Sequence, residues 1–290
     1  MPVDQKRING PEVSIPYCIY IDRSQKNIES QKNLLEKRED GRELNELRKM
    51  FVKVGIISQA KGSAYIEMGE TKVICSVFDP REIPNKNSYS LQGELFCEFK
   101  FATFSTAKRK IHQQNSEEKE YSCVLRRALE PAVCRHEFPN FQVDIYVLVL
   151  ENGGSALSGG IMAASLALAN ASVPMFGLVS AVTMGIHDDV IFLDPTEKEE
   201  SLCLSMSTNK MHKQKNHGII LQASMPQHSQ ISEFFLVGSL DTAIIKSQLE
   251  SLNKAGDDIY PVMQQCLVKS IAKFLKQKKK EDPVESEIES

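Results

Sequence analysis

Apolar residues change their spacing along this chain, and the changes mark its elements. Phe51–Ile57 reads as a strand. Ser63–Glu67 and Lys72–Val77 read as two more, joined by a turn at Gly69-Glu70. Asp79–Leu91 carries two prolines among Asn and Ser and reads as a loop. In Glu94–Phe101 every second residue is apolar: Leu95, Cys97, Phe99 and Phe101 share a face opposite Glu94, Glu98 and Lys100. Over Glu117–Cys134 the period becomes helical through Tyr121, Val124, Leu125, Ala128, Leu129, Ala132 and Val133, with Pro131 placed to end it. Phe141–Leu150 is apolar on both faces, as a buried strand is. Ser155–Ala171 is alanine-rich all round and reads as a helix enclosed by protein. Strands follow near Leu178–Ile186 and Val190–Leu193, then a polar insertion over Glu197–Asn216 that reads as a loop, then a hairpin of Gly218–Ser224 and Ile231–Val237. Two helices close the pattern, Leu240–Leu252 and Pro261–Gln277. Strand groups followed by helices twice over predict an α+β fold of mixed sheets packed with helices.

The pattern assigns residues 1–42 to an N-terminal extension and lead-in. Residues 43–275 form the folded part, in halves of about 43–174 and 175–275 interrupted by the insertion 197–216, and 276–290 read as a disordered tail. With 290 residues, 41% of them apolar, the chain can bury a sizeable core. A formal charge of −3 excludes a wholly basic nucleic-acid coat, so any RNA grip must be local. No run approaches the roughly 18 apolar residues of a membrane span, and Met1–Pro16 lacks the apolar core of a secretion signal. The seven cysteines include no C-x-x-C pair and suit a reducing compartment, cytosol or nucleus.

Four constellations could carry chemistry. Gly153–Gly160 lies between a strand and a helix, where free N–H groups can hold phosphate, but it matches neither glycine-rich nucleotide fingerprint; close packing explains it as well. His212, His217 and His228 fit no metal-ligand spacing, and Cys75, Cys97 and Cys123 lie in strand or helix interiors, so neither set predicts a metal or a nucleophile. Asp194, Glu197, Glu199 and Glu200 cluster after a strand, as acid–base carboxylates can and as a solvated acidic loop also would. Lys108, Arg109 and Lys110 form a basic loop near Phe99, Phe101 and Phe104, suited to a nucleic-acid backbone or to solvent.

Several blocks resemble one family. Asp40–Arg48 (DGRELNELR), Gly55, Gly62-Ser63-Ala64, Glu67, Gly69 and Thr71-Lys72-Val73 resemble the opening of the RNase PH family. Arg126–Glu130 resembles its central helix, Gly153-Gly154-Ser155 with Met162–Ala169 its strand-turn-helix, and Leu193-Asp194 the strand before its acids. Within it, Arg7–Glu12, Ile57–Tyr65, Ala128–Val133 and Tyr260–Gln265 resemble a eukaryotic exosome ring subunit. The resemblance implies an RNase PH-like fold (ribosomal protein S5 domain 2-like). It also implies a hetero-hexameric ring with other RNase PH-like subunits, S1/KH-type cap subunits, RNA as a partner, no membrane, and residence in nucleus, nucleolus and cytoplasm.

Active members of the family cleave the 3′-terminal phosphodiester with inorganic phosphate, which calls for arginine forks. Where the family has one arginine, before the central helix, this chain has Glu117 and Glu118; where it has another, Ala156. The first catalytic aspartate falls at Glu200 and the second near Ile219. The resemblance therefore implies a degenerate phosphate site (Glu117, Glu118, Ala156), a degenerate acid site (Glu200, Ile219), no catalytic residues, no metal and no cofactor. Lys108, Arg109 and Lys110 become candidates for the RNA path. An active phosphorolytic exoribonuclease using Arg126, Arg127 and Glu200, and a free-standing RNA-binding module, are the alternatives.

Overall fold

A computed structural model describes residue 38 and residues 40–83, 89–106, 109–110, 112–188, 190–204 and 216–285, with side chains through Lys276. Strands β1 (Met50–Val54), β2 (Gly62–Met68), β3 (Thr71–Glu82), β4 (Glu94–Phe101) and β5 (Phe141–Glu151) form a five-stranded sheet in the order β1-β2-β3-β5-β4. All pairs are antiparallel except β4 with β5. The parallel pair needs a crossover, and helix α1 (Ser116–Leu129) supplies it. Strands β6 (Ser180–His187), β7 (Val190–Leu193), β8 (His217–Met225) and β9 (Gln230–Ser239) form a second, antiparallel sheet in the order β7-β6-β8-β9. The architecture is α+β, mixed sheets packed with helices, as the pattern predicts.

Helix α2 (Ala156–Asn170) lies between the sheets, against β2, β3 and β5 on one side and β6 on the other. That explains its composition. Its residues from Ala156 to Leu168 are all buried, and a helix enclosed on every side must be apolar and slim. At Gly160 a Cβ would come within 2.7 Å of the Phe99 ring. Gly154 sits at φ +95° with its α-carbon so close to Pro195–Glu197 that a Cβ would fall 2.5 Å from the Glu197 nitrogen. This glycine lets two turns meet at the site.

Several expectations change. Strand β3 runs on to Glu82, through residues read as loop, because its far end pairs with Phe141 and Gln142. Residues Glu197–Leu204 are helix α3, not loop: Glu199 caps it by accepting the Thr196 N–H at 2.8 Å. Residues 205–215 of the insertion lie outside the described residues, as do His212 and Lys108. The two C-terminal helices are one, α4 (Thr242–Glu285), which includes residues 276–285 of the expected disordered tail. Pro261 removes one backbone donor, but Leu252, Ala255, Ile259 and Met263 form one buried stripe across it, and packing carries the helix through. Cys123, expected in the core, is exposed.

Candidate functional site

The turns that open α2 and α3 meet below β8 and β9, and a cleft of about 690 Å³ opens above them. Its lining includes Arg109, Lys110, Glu117, Ala156, Glu200 and Ile219. Six residues singled out from four distant segments thus converge. Glu118 does not join them. It is 1% exposed, and its carboxylate accepts the Phe101 N–H at 2.9 Å and the Asn115 N–H at 2.7 Å. Placed at N3 of α1, it closes a capping box and ties the helix to β4. It is a structural carboxylate and does not line the cleft. Arg126 and Arg127 do not line the cleft either; Arg127 pairs with Glu233 of β9 at 3.0 Å.

The floor rests on two buried arginine forks. Arg48 donates Nη2 and Nε to Asp194 at 2.6 and 2.8 Å, and also holds the carbonyls of Gly153 and Gly154 and the hydroxyl of Thr71. Burial would raise the Asp194 carboxyl, but the hydrogen bonds and charge of Arg48 outweigh it and hold Asp194 below the usual carboxylate range. Burial likewise opposes the Arg48 charge, and Asp194 more than restores it. Arg38 donates to both oxygens of Glu199 at 3.0 Å and to the carbonyls of Leu193 and Asp194. The acidic cluster is therefore split rather than solvated: Asp194 and Glu199 are spent on structure, and Glu197 and Glu200 face the cleft. Arg38 and Arg42, read as lead-in, reach Glu199 and the Asp194 carbonyl and so belong to this floor.

Glu200 defines the chemistry. Its Oε1 accepts the Ser155 backbone N–H at 2.6 Å, at the N-terminus of α2. Ser155 and Asp194, one in each turn, both adopt left-handed backbone (φ 54° and 51°), a conformation uncommon outside glycine that aims these groups at one another. Desolvation pushes the Glu200 carboxyl up to about 7, assisted by Asp194 and Glu197 and opposed by the Ser155 hydrogen bond and Arg48. Burial and then Glu70 raise Glu197. Tyr121 is raised by burial and by Glu117 and Glu200, so it stays a protonated phenol on the wall. Lys110 is drawn aside: its Nζ lies 3.5 Å from Glu117 and 3.6 Å from the Phe101 ring centre. Among the described residues no cluster of histidine, cysteine and carboxylate could hold a metal.

Sequence reasoning missed Arg38, Arg48 and Tyr121 as parts of this region. An arginine in a polar segment looks solvated, and only the fold brings Glu199 or Asp194 to it.

Comparison with known proteins places this geometry. Residues 46–174 match domain 1 of the 3′ exoribonuclease family (RNase PH), and residues 177–222 match its domain 2. The human exosome complex component MTR3 is 33% identical over 288 residues, covering 93% of this chain and 96% of that protein. The Arabidopsis thaliana exosome complex component RRP41-like is 34% identical over 233 residues, covering 80% and 85%. A solved structure of the Archaeoglobus fulgidus exosome with RNA bound to the active site superposes with a TM-score of 0.68 at 18% identity, covering 80% of this chain and 97% of that one.

Proposed function

Because the chain belongs to the 3′ exoribonuclease family of RNase PH, we propose that it is a ring subunit of an RNA exosome that has kept the fold and given up phosphorolysis. It takes its place beside other RNase PH-like chains in a hetero-hexameric ring under S1/KH-type cap subunits, in nucleus, nucleolus and cytoplasm. RNA passes through the assembly towards a nuclease elsewhere.

One observation carries the non-catalytic reading. The N-terminus of α2, where a phosphate would find free N–H groups, already receives the Glu200 carboxylate, and the next side chain is the methyl of Ala156. Phosphorolysis needs inorganic phosphate beside the RNA phosphate. A carboxylate about 4 Å from phosphate repels it by roughly 4 kcal/mol per unit charge at an effective dielectric of 20, a repulsion that Glu200, raised to about 7, supplies in full only above that pH. A missing charge-assisted anchor costs roughly 1.5–3 kcal/mol more. Together these suppress phosphate binding or rate by several powers of ten. Arg109 and Lys110 line the same cleft and remain the cations offered to RNA, Lys110 partly neutralised by Glu117.

Glu200 also favours a second reading. A carboxyl raised to about 7 in a cleft is what a general acid has. The two readings separate in one assay. The purified chain, alone and in its ring, is incubated with single-stranded RNA and inorganic phosphate. The ring-subunit reading expects no nucleoside diphosphate attributable to this chain; phosphate-dependent release abolished by Glu200→Gln in this chain would establish the enzyme.

A further inference from the structure

The wall of the cleft shows how it holds an ammonium. Nζ of Lys110 stands 3.6 Å from the centre of the Phe101 ring and 3.5 Å from the Glu117 carboxylate. A ring face with a carboxylate binds an ammonium, and apolar wall takes the methylene stem behind it. The same kinds of group recur across the cleft. Glu197 and Glu200 lie one turn apart on one face of α3 and line the cleft with the Tyr121 ring. Among the described residues neither glutamate is ion-paired. Leu157, Ile219, Leu221 and Phe235 supply apolar wall. Thr183 of β6 pairs in register with Leu221 of β8, and Leu221 with Phe235 of β9, so the three side chains share the cleft face of the sheet. Thr183 is 4% exposed, and its hydroxyl has no hydrogen-bond partner among the described residues. A buried hydroxyl is rarely left so, and this one lines the cleft.

Resting on the reading that this cleft has given up phosphate, we propose that it binds a small aliphatic polyamine. One ammonium sits between Glu197 and Glu200, the methylene chain runs along Leu157, Ile219 and Leu221, and an N–H is donated to the Thr183 hydroxyl. The charges favour a cation. Lys110 is paired with Glu117 and Arg109 is exposed, so Glu197 and Glu200 outweigh the cation that is left in the lining. Lys198, on the exposed side of α3, eases Glu197 without lining the cleft. The distribution of the charges favours a chain over a compact ion. The glutamates do not meet at one point, since among the described residues no cluster could hold a metal. Carboxylates spread along apolar wall suit ammonium groups separated by methylenes. A cleft of about 690 Å³ is of the size that encloses a small molecule. RNA carries polycations with it as counterions, so a subunit on an RNA path meets them.

The test is calorimetric titration of spermidine into the purified full chain at pH 8 and low salt, where one saturable site is expected. Glu197→Gln with Glu200→Gln is expected to weaken it about tenfold. Glu250→Gln with Asp257→Asn removes the same charge from exposed positions of α4 and is expected to leave it unchanged. Binding to the wild type should weaken about fivefold at pH 6, where Glu200, raised to about 7 among Asp194, Glu197 and Arg48, takes up a proton. Thr183→Val keeps the branched side chain and removes only the hydroxyl; it is expected to weaken binding about threefold without lowering Tm, and it decides the matter if the double glutamine variant fails to fold. Absence of saturable binding, equal weakening in both double variants, or unchanged affinity in Thr183→Val would each overturn the proposal. Tighter binding of a lysine-rich peptide than of spermidine would assign the cleft to a protein tail and equally overturn it. None of these results bears on the loss of phosphorolysis, which release of nucleoside diphosphate decides separately.

Discussion

Glu200 and Asp194 are two carboxylates a few residues apart with opposite electrostatics, and each makes a measurable expectation. Glu200 is raised to about 7 in the folded chain against an ordinary 4.5. Between those values the folded state binds more protons than the unfolded one, so this group makes stability fall as pH rises through the window. The penalty is absent below about 4.5 and complete above about 7. Glu200→Gln keeps an oxygen for the Ser155 N–H and removes the charge. Discounting for partial exposure to the cleft, we expect a gain of about 1 kcal/mol at pH 8, a rise of about 2–4 °C in Tm. We expect no gain at pH 4.5; thermal melts of both proteins across pH 4.5–8 would show the difference curve. Asp194 has the opposite sign: it supports the fold at neutral pH and ceases to only as pH falls below the carboxylate range. Arg48→Met leaves Asp194 buried without its fork and should cost about 3–5 kcal/mol in urea unfolding at pH 7. Adding Asp194→Leu should recover a large part, because the cost is the stranded charge.

Element by element, the periodicity of the chain carried much of the fold, and it failed where polar residues are buried in pairs. Strand β4 alternates because one of its faces meets α1 and α2, and α1 stops near Leu129 because Pro131 follows. Helix α3 was illegible: EKEESLCL looks like a solvated loop, and its burial depends on Arg38, 161 residues away in sequence. Likewise the sequence divides α4 into Leu240–Leu252 and Pro261–Gln277, since a hydrophobic stripe is weak evidence beside a proline. For the site, the residues were legible but their division of labour was not. Glu117 and Glu118 are neighbours with the same chemistry, yet a helix turns successive residues about 100° apart, so one faces the cleft and the other caps α1. The pair separates on substitution. Glu118→Ala orphans the N–H groups of Phe101 and Asn115 and should cost about 2–4 kcal/mol. Glu117→Ala, half-exposed beside Lys110, should stay within about 0.5 kcal/mol. Equal losses in chemical denaturation would contradict the capping role.

At the scale of the whole molecule, two sheets pack around α2, and its N-terminus, α3, Arg109 and Lys110 meet at one cleft whose acids outnumber its bases. This makes repair informative. Ala156→Arg puts a guanidinium at the mouth of α2 but within a wall carrying Glu117, Glu197 and Glu200. A flexible cation beside carboxylates pairs with them before it pairs with millimolar phosphate, because the carboxylates are tethered and need no association entropy. We therefore expect Ala156→Arg alone to raise Tm slightly and to show no phosphate binding by isothermal titration calorimetry. Adding Glu117→Gln and Glu200→Gln turns a cleft with more acids than bases into a net cationic one and frees the α2 N-terminus, and that triple variant should bind phosphate weakly, with affinity falling as salt rises. Phosphorolysis should still be absent, since Glu200→Gln and Ile219 leave a carboxyl at neither of the two acid positions. Phosphate binding by the single variant would mean that the glutamates never barred the anion; none by the triple would mean that shape, and not charge, closed the site.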